Sequence, residues 1–308
     1  MKKLQIYTRV LGLFILTTLV ACGGKENNEK GIGTLDETVI EAGVRPHLAM
    51  VDSTHLDSLT KVKIETSVGS LIVALYNETP LHKANFIKLA KNNFYNNTLF
   101  HRVIKGFMVQ GGDPESKNAA SGIALGSGGP GYLIDKEFRK DLFHIKGALA
   151  AARQGGPMNP EMKSSGSQFY IVTGKRIDAG YWASQATRGA YAQAAFAEFF
   201  ANPSNQEYNL RMQSCRQRQD MAGLEALNDE IEKLVAPKID LMIAQTSNEL
   251  KSAYATIGGT PSLDNQYTVF GYLVLGYETL QAIENTATAP GDRPVQDLKI
   301  LKCSIILD

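Results

Sequence analysis

The residue pattern predicts a mainly β fold with helices, interrupted by an inserted helical segment. Three observations carry this. Strand-like runs rich in aromatic and β-branched residues, or alternating apolar with polar, occupy 61–76, 100–110, 168–172, 267–275 and 298–307. Glycines at Gly111-Gly112, Gly126 to Gly131 and Gly155-Gly156 punctuate those runs as turns or close approaches. Between Gly174 and Gly258 the character changes: Ala, Gln, Glu, Leu and Arg dominate and β-branched residues thin out, so that stretch reads as helical.

The first element is an address. Lys2, Lys3 and Arg9 precede an apolar run from Val10 to Val20, too short for a hydrocarbon core that takes about 20 residues but suited to a secretory signal. The run ends in Leu19-Val20-Ala21-Cys22, which resembles a bacterial lipoprotein lipobox. Residues 1–21 then read as a signal peptide and Cys22 as the acylated first residue of the mature chain, a lipid anchor to a membrane in the bacterial cell envelope, facing the periplasm. A plain signal peptide with a chance cysteine is the alternative. Residues 22–60 read as tether and linker: Gly23 to Gly33 is polar and aperiodic, and the stretch to Leu59, with Pro46, takes no assignment.

From Lys61 to Tyr76, Val62 and Ile64 precede the turn Ser67-Val68-Gly69-Ser70, and Leu71, Val73 and Leu75 follow it, the pattern of a β-hairpin. Thr79 offers a hydroxyl N-cap and Pro80 a first helical position, and Phe86, Ile87, Ala90 and Phe94 repeat along one side, predicting a helix from Pro80 to about Asn92. In the insertion, at about 175–257, Leu224, Leu227, Ile231, Leu234 and Val235 recur at helical spacing. That stripe reads as intramolecular packing rather than a partner-binding face. Pro237 is expected to interrupt it, with another helix over Leu241 to Tyr254.

Composition narrows the function classes. The 308 residues carry 32 Lys and Arg against 31 Asp and Glu, so no global field draws the chain to nucleic acid. The histidines are scattered and the three cysteines form no C-x-x-C pair, which gives no metal-ligand spacing. Cys215 and Cys303 could pair in an oxidising periplasm, but the sequence gives no distance between them, so they stand as unpaired by default.

Four segments carry the chemistry. They are Phe100-His101-Arg102-Val103-Ile104-Lys105-Gly106-Phe107-Met108-Val109-Gln110-Gly111-Gly112-Asp113, then Gly147 to Arg153, Gly166-Ser167-Gln168-Phe169-Tyr170, and Leu263 to Gly271. In that order they resemble the signature of the cyclophilins, β-barrel peptidyl-prolyl cis/trans isomerases. The resemblance covers about 61–174 and 256–308. It implies an eight-stranded antiparallel β-barrel capped by two helices, and acceleration of X–Pro isomerisation in proline-containing segments of unfolded, exported proteins, with no cofactor, metal or covalent intermediate. A chaperone or peptide-binding module on the same scaffold is the alternative, motivated by an insertion that isomerisation does not require.

The resemblance also implies roles. Arg102 matches the guanidinium that donates to the prolyl nitrogen, and Gln110 the glutamine that orients the substrate carbonyl and Arg102. Phe107, Met108, Tyr170 and Leu263 match the wall of the proline pocket. Ala152, Arg153 and Gln168 match the groove for the residues before proline. Three positions depart from the family pattern. Tyr170 replaces a common phenylalanine and adds a hydroxyl that needs a partner. Ser262 and Tyr267 replace a tryptophan and a histidine of the rim, which implies weak cyclosporin binding. His101 adjoins Arg102, but neighbouring strand residues point to opposite faces, so no catalytic histidine is expected there.

Overall fold

The computed structural model describes residues 58–155, 159–182, 185–244 and 246–306. The expected signal peptide, Cys22 and the linker as far as residue 57 lie outside them. Strands β1 (Thr60–Thr66) and β2 (Gly69–Leu75) form the expected hairpin, with Val62 opposite Val73 and Ile64 opposite Leu71. All four are fully buried on one face. The Thr66 hydroxyl donates to the Gly69 carbonyl at 2.8 Å and closes the turn.

Helix α1 (Pro80–Lys91) begins as expected at proline, but Thr79 does not cap it. The Glu137 carboxylate does, accepting from the Leu81 and His82 amides at 3.0 Å each, and it sits 2.6 Å from His82 Nδ1. A carboxylate at the positive end of a helix is a stronger acceptor than a hydroxyl, and the Thr79 backbone (φ −125°, ψ 66°) departs from usual capping geometry.

The chain continues through β3 (Thr98–Leu99), β4 (Arg102–Ile104), β5 (Met108–Gly111), β6 (Leu133–Ile134), β7 (Ala148–Ala151), β8 (Ser164–Ser165) and β9 (Phe169–Val172). Among the described residues the helices α2 (Ala179–Trp182), α3 (Gln185–Ala201), α4 (Gln206–Gln217), α5 (Met221–Ala244) and α6 (Asn248–Thr256) follow. Strand β10 (Val269–Leu275), α7 (Tyr277–Glu284) and β11 (Lys299–Ile306) complete the fold.

One antiparallel sheet runs β3-β11-β1-β2-β10-β7-β9-β5-β4, while β6 and β8 pair separately. Its two edge strands, β3 and β4, are separated in the chain only by Phe100 and His101, so the chain itself joins the edges and the sheet must curl. Eight strands make the expected wall, and the two-residue β3 adds a ninth. Inside it Phe86 and Leu89 of α1 and Leu280 and Ile283 of α7 pack on Phe100, Phe169 and Phe270, so these two helices cap the core. Phe86 and Phe169 meet edge to face at 5.4 Å.

The outer face of β7, β9 and β10 carries a second apolar layer, in which Ala150, Tyr170, Val172 and Val269 meet Leu250, Ala253 and Tyr254 of α6. The helical segment therefore lies against the outside of the sheet. It holds its own core of Ala195, Leu227, Ile231, Val235 and Ile239. The apolar stripe of α5 is thus mainly internal packing, although Leu234 is exposed. Contrary to expectation, Pro237 does not interrupt α5, which runs through it to Ala244. A proline inside a helix costs about 3 kcal/mol, but Ile231, Val235 and Ile239 on either side are all buried against α3, each contributing about 1.5–3 kcal/mol. The next helix starts not at Leu241 but at Asn248, where the Ser247 hydroxyl accepts from the Leu250 amide.

The segment leaves and rejoins the sheet at one neck of glycines. Gly174 and Gly259 lie back to back with no room for a Cβ on either, and Gly258 (φ +98°) crosses the same point. The Gly259 amide donates to the Lys175 carbonyl at 3.1 Å, and the Lys146 amide to the Gly258 carbonyl at 2.9 Å. Cys215 and Cys303 are both buried as free thiols; burial, with the Glu65 charge, pushes the Cys303 thiol up to about 12. No helix among the described residues is long and apolar enough to cross a membrane.

Burial pushes the Glu137 carboxyl up, but donors from the His82 ring and the two α1 amides outweigh it and hold the group below its ordinary 4.5. A depressed carboxyl contributes its full stability above the unfolded value and loses it as pH falls through the folded one. Glu137→Gln is expected to cost about 1 kcal/mol at neutral pH and to flatten the loss of thermal stability below pH 4.5, read by melting curves across pH.

Candidate active site

Strand register decides which side chains meet. Arg102 lies opposite Gln110, Gln110 opposite Tyr170, Tyr170 opposite Ala150, and Ala150 opposite Val269. Direct opposites share a face with Cβ atoms about 5 Å apart, so these five form one row across β4, β5, β9, β7 and β10. Ile104, Met108 and Val172 form the next row on that face. The alternate residues Val103, Val109, Ile171 and Leu149 point into the interior core. Arg102 therefore stands on the outer face beside Met108.

The turn between β4 and β5 depends on Gly106, whose φ of +72° suits glycine. The Phe107 amide donates to the Ile104 carbonyl at 3.0 Å, and the Gly106 amide to Glu284 Oε1 at 2.7 Å. Phe107 packs half-buried on the outer apolar layer, together with Ala152, Leu263 and Tyr267. Met108 and Tyr170 are buried members of that layer. The structure thus gathers Phe107, Met108, Ala152, Tyr170, Leu263 and Tyr267 into one cluster beside Arg102.

Polar contacts then orient the row. The Gln168 side chain donates from Nε2 to the Gly126 and Gly128 carbonyls at 2.9 and 2.7 Å, which leaves its Oε1 to accept from Gln110 Nε2 at 3.0 Å. Among the described residues the Gln110 acceptor oxygen has no partner. It makes no hydrogen bond to Arg102, against the expectation that it orients that side chain. Asp292 does so instead, accepting from Arg102 Nε at 3.2 Å. Both partners are open to solvent, with side chains 39% and 36% exposed. Among the described residues the two terminal guanidinium nitrogens have no partner. Asp292 sits in a tight turn (φ +63°) after Gly291, and its carbonyl accepts from the Val103 amide at 2.8 Å. The run Ala289-Pro290-Gly291-Asp292 was a legible turn, but nothing in it pointed 190 residues back to Arg102.

Arg153 spreads its guanidinium over the Tyr267 ring, 4.6 Å from the centroid, and donates from Nε to the Gln266 carbonyl at 2.8 Å. Among the described residues its own backbone N–H and C=O have no partner. The Tyr170 hydroxyl finds the partner it needs in His144 Nε2, at 3.0 Å. Burial holds the Tyr170 phenol well above its ordinary value. His101 is buried, and burial lowers its pKa. Among the described residues no group of His, Cys, Asp and Glu could hold a metal ion.

A family model described as cyclophilin type peptidyl-prolyl cis-trans isomerase/CLD matches residues 61–183 and 184–305. The chain belongs to that family. As a cyclophilin it is a peptidyl-prolyl cis-trans isomerase, and proline-containing peptides are its substrates. A relative from Staphylococcus saprophyticus, named "Putative peptidyl-prolyl cis-trans isomerase", is 30% identical over 250 residues, covering 80% of this chain and 91% of its own. One of the same name from Staphylococcus aureus is 31% identical over 244 residues, covering 78% and 88%. A cyclophilin-type isomerase crystal structure from Cryptosporidium parvum aligns at 22% identity with a TM-score of 0.48, over 81% of this chain and 99% of its own.

An exposed single-contact ion pair contributes about 0–1 kcal/mol. Asp292→Asn in this cyclophilin is accordingly expected to change unfolding free energy by less than about 1 kcal/mol, measured by denaturant titration; a larger loss would mean the Arg102 pair is a structural lock.

Proposed function

We propose that Arg102 is the catalytic group of this isomerase and that the enzyme works on exported chains from a lipid anchor at Cys22. Planar amide resonance sets a barrier of about 18–20 kcal/mol to rotation about an X–Pro bond. Rotation localises a lone pair on the prolyl nitrogen, and a donor aimed there stabilises the twisted state more than the planar one. The observation that carries the assignment is the register. Arg102 stands on the outer face beside the Phe107, Met108, Tyr170 and Leu263 cluster, with its terminal nitrogens unengaged.

The cluster seats the proline ring in an apolar recess and so anchors one side of the rotating bond. The free backbone groups of Arg153 suit hydrogen bonds to the residues before proline, with Ala152 and Gln168 lining that side and Tyr267 the rim. The free Oε1 of Gln110 can accept from a substrate amide. Asp292 leaves the business end of Arg102 open, because it takes only Nε. A guanidinium stays charged at any working pH, so this chemistry calls for no titrating residue.

Arg102→Ala should lower kcat for a proline peptide by about a hundredfold or more while melting stays near that of the parent, measured on the form lacking residues 1–22. Unchanged turnover would refute the assignment. For the anchor, cells making the full chain should incorporate labelled palmitate into it, and Cys22→Ser should abolish both labelling and membrane fractionation; labelling that survives the substitution counts against the lipobox reading.

A further inference from the structure

We propose that Tyr254, carried by the helical segment, is a positioning residue for the proline pocket, acting through Asp264 and His144 on Tyr170. This rests on the pocket assignment above. Four side chains form a buried series. The Tyr254 hydroxyl donates to Asp264 Oδ2 at 2.6 Å. Asp264 Oδ1 accepts from the His144 amide at 2.8 Å and lies 2.9 Å from His144 Nδ1. His144 Nε2 lies 3.0 Å from the Tyr170 hydroxyl.

The Asp264 carboxylate can only accept, so the Tyr254 hydroxyl, the His144 amide and His144 Nδ1–H converge on it as donors. Across the ring, His144 Nε2 and the Tyr170 hydroxyl share a hydrogen bond and the two rings lie 15° from parallel, so the imidazole sets where the phenol stands. His144 and Tyr254 have no exposed surface, and Asp264 is nearly buried. A buried carboxylate left short of one donor is costly, so the position of Asp264 depends on Tyr254.

Other pocket groups depend on the same carboxylate. Asp264 ends the short 3-10 turn Pro261–Leu263, its amide donating to the Pro261 carbonyl at 3.1 Å, so Leu263 moves with it. The Tyr267 ring meets His144 and Tyr170 edge-on, at 6.4 and 5.9 Å between centroids. Three pocket groups, Tyr170, Leu263 and Tyr267, thus take their places from one aspartate held from the helical segment. Tyr254 itself is fixed by the segment: its carbonyl accepts from the Ile177 amide at 3.0 Å, its ring packs on Trp182, and Gly259 makes room for it. None of these groups reaches the rotating bond. They set how well the proline ring fits, which is uniform binding rather than transition-state chemistry.

The test uses the full chain. Tyr254→Phe removes one hydroxyl and keeps the ring. It is expected to raise KM for a proline peptide about three- to tenfold with kcat within about twofold, and to raise the peptide Kd measured by calorimetry in step. Tyr208→Phe, which removes a hydroxyl that donates to Glu230 elsewhere in the segment, should leave KM and Kd unchanged. Combined with Tyr170→Phe, the Tyr254→Phe effect on KM should fall below the product of the two single effects, because both act on one series. Unchanged KM in Tyr254→Phe, a fall in kcat instead, an equal shift in Tyr208→Phe, or strict additivity would each overturn the proposal while parent turnover stays normal. A parent chain that neither binds nor turns over proline peptides would overturn the pocket reading and this proposal together.

Discussion

Antiparallel pairing across β4, β5, β9, β7 and β10 places every second residue outside the curled sheet, and everything at the site follows from that alternation. A slip of one residue in β4 would exchange Arg102 for Val103, sending a guanidinium into a core of Phe100, Phe169 and Val109. Burying an unpaired charge there is prohibitive, so the interior core enforces the register that presents the arginine. Packing inside and function outside are two faces of the same strands.

The outer face is unusual in being shared. Part of it carries the cluster proposed as the proline pocket, and part is covered by α6 and Trp182, so the apolar layer around Tyr170 and Val269 is continuous with the packing of the helical segment. On that proposal, substrate and segment bear on the same side chains. Tyr170 stands at the boundary, its ring in the pocket layer and its hydroxyl on His144.

Much of this was legible in the sequence because it is local. Period-two alternation marked the β1–β2 hairpin, and the signature from Phe100 to Asp113 singled out Arg102, Phe107, Met108 and Gln110, although the run 100–110 is two strands joined by a turn at Gly106 with Phe107 between them. What the sequence hid is what folding brings from far away. Glu137 caps a helix by accepting from Leu81, 56 residues earlier, Asp292 reaches Arg102 across 190, and His144 meets Asp264 across 120. No spacing rule ties such partners. Pro237 escapes local reasoning for a related reason: its local penalty is real, but the buried stripe of α5 that outweighs it exists only once α3 lies alongside.

The glycine neck at Gly174, Gly258 and Gly259 has an evolutionary corollary. Because the two chain crossings touch, the sheet fixes where the excursion starts and stops and, through α6 and Trp182, what covers its outer face, but not how long the rest of the excursion is. The helices with their own core, α3 to α5, are free to lengthen or shorten among descendants without shifting a strand, so long as α6 still covers that face and an aromatic hydroxyl returns to the aspartate. Such a neck makes the barrel a socket into which lineages can plug different accessories.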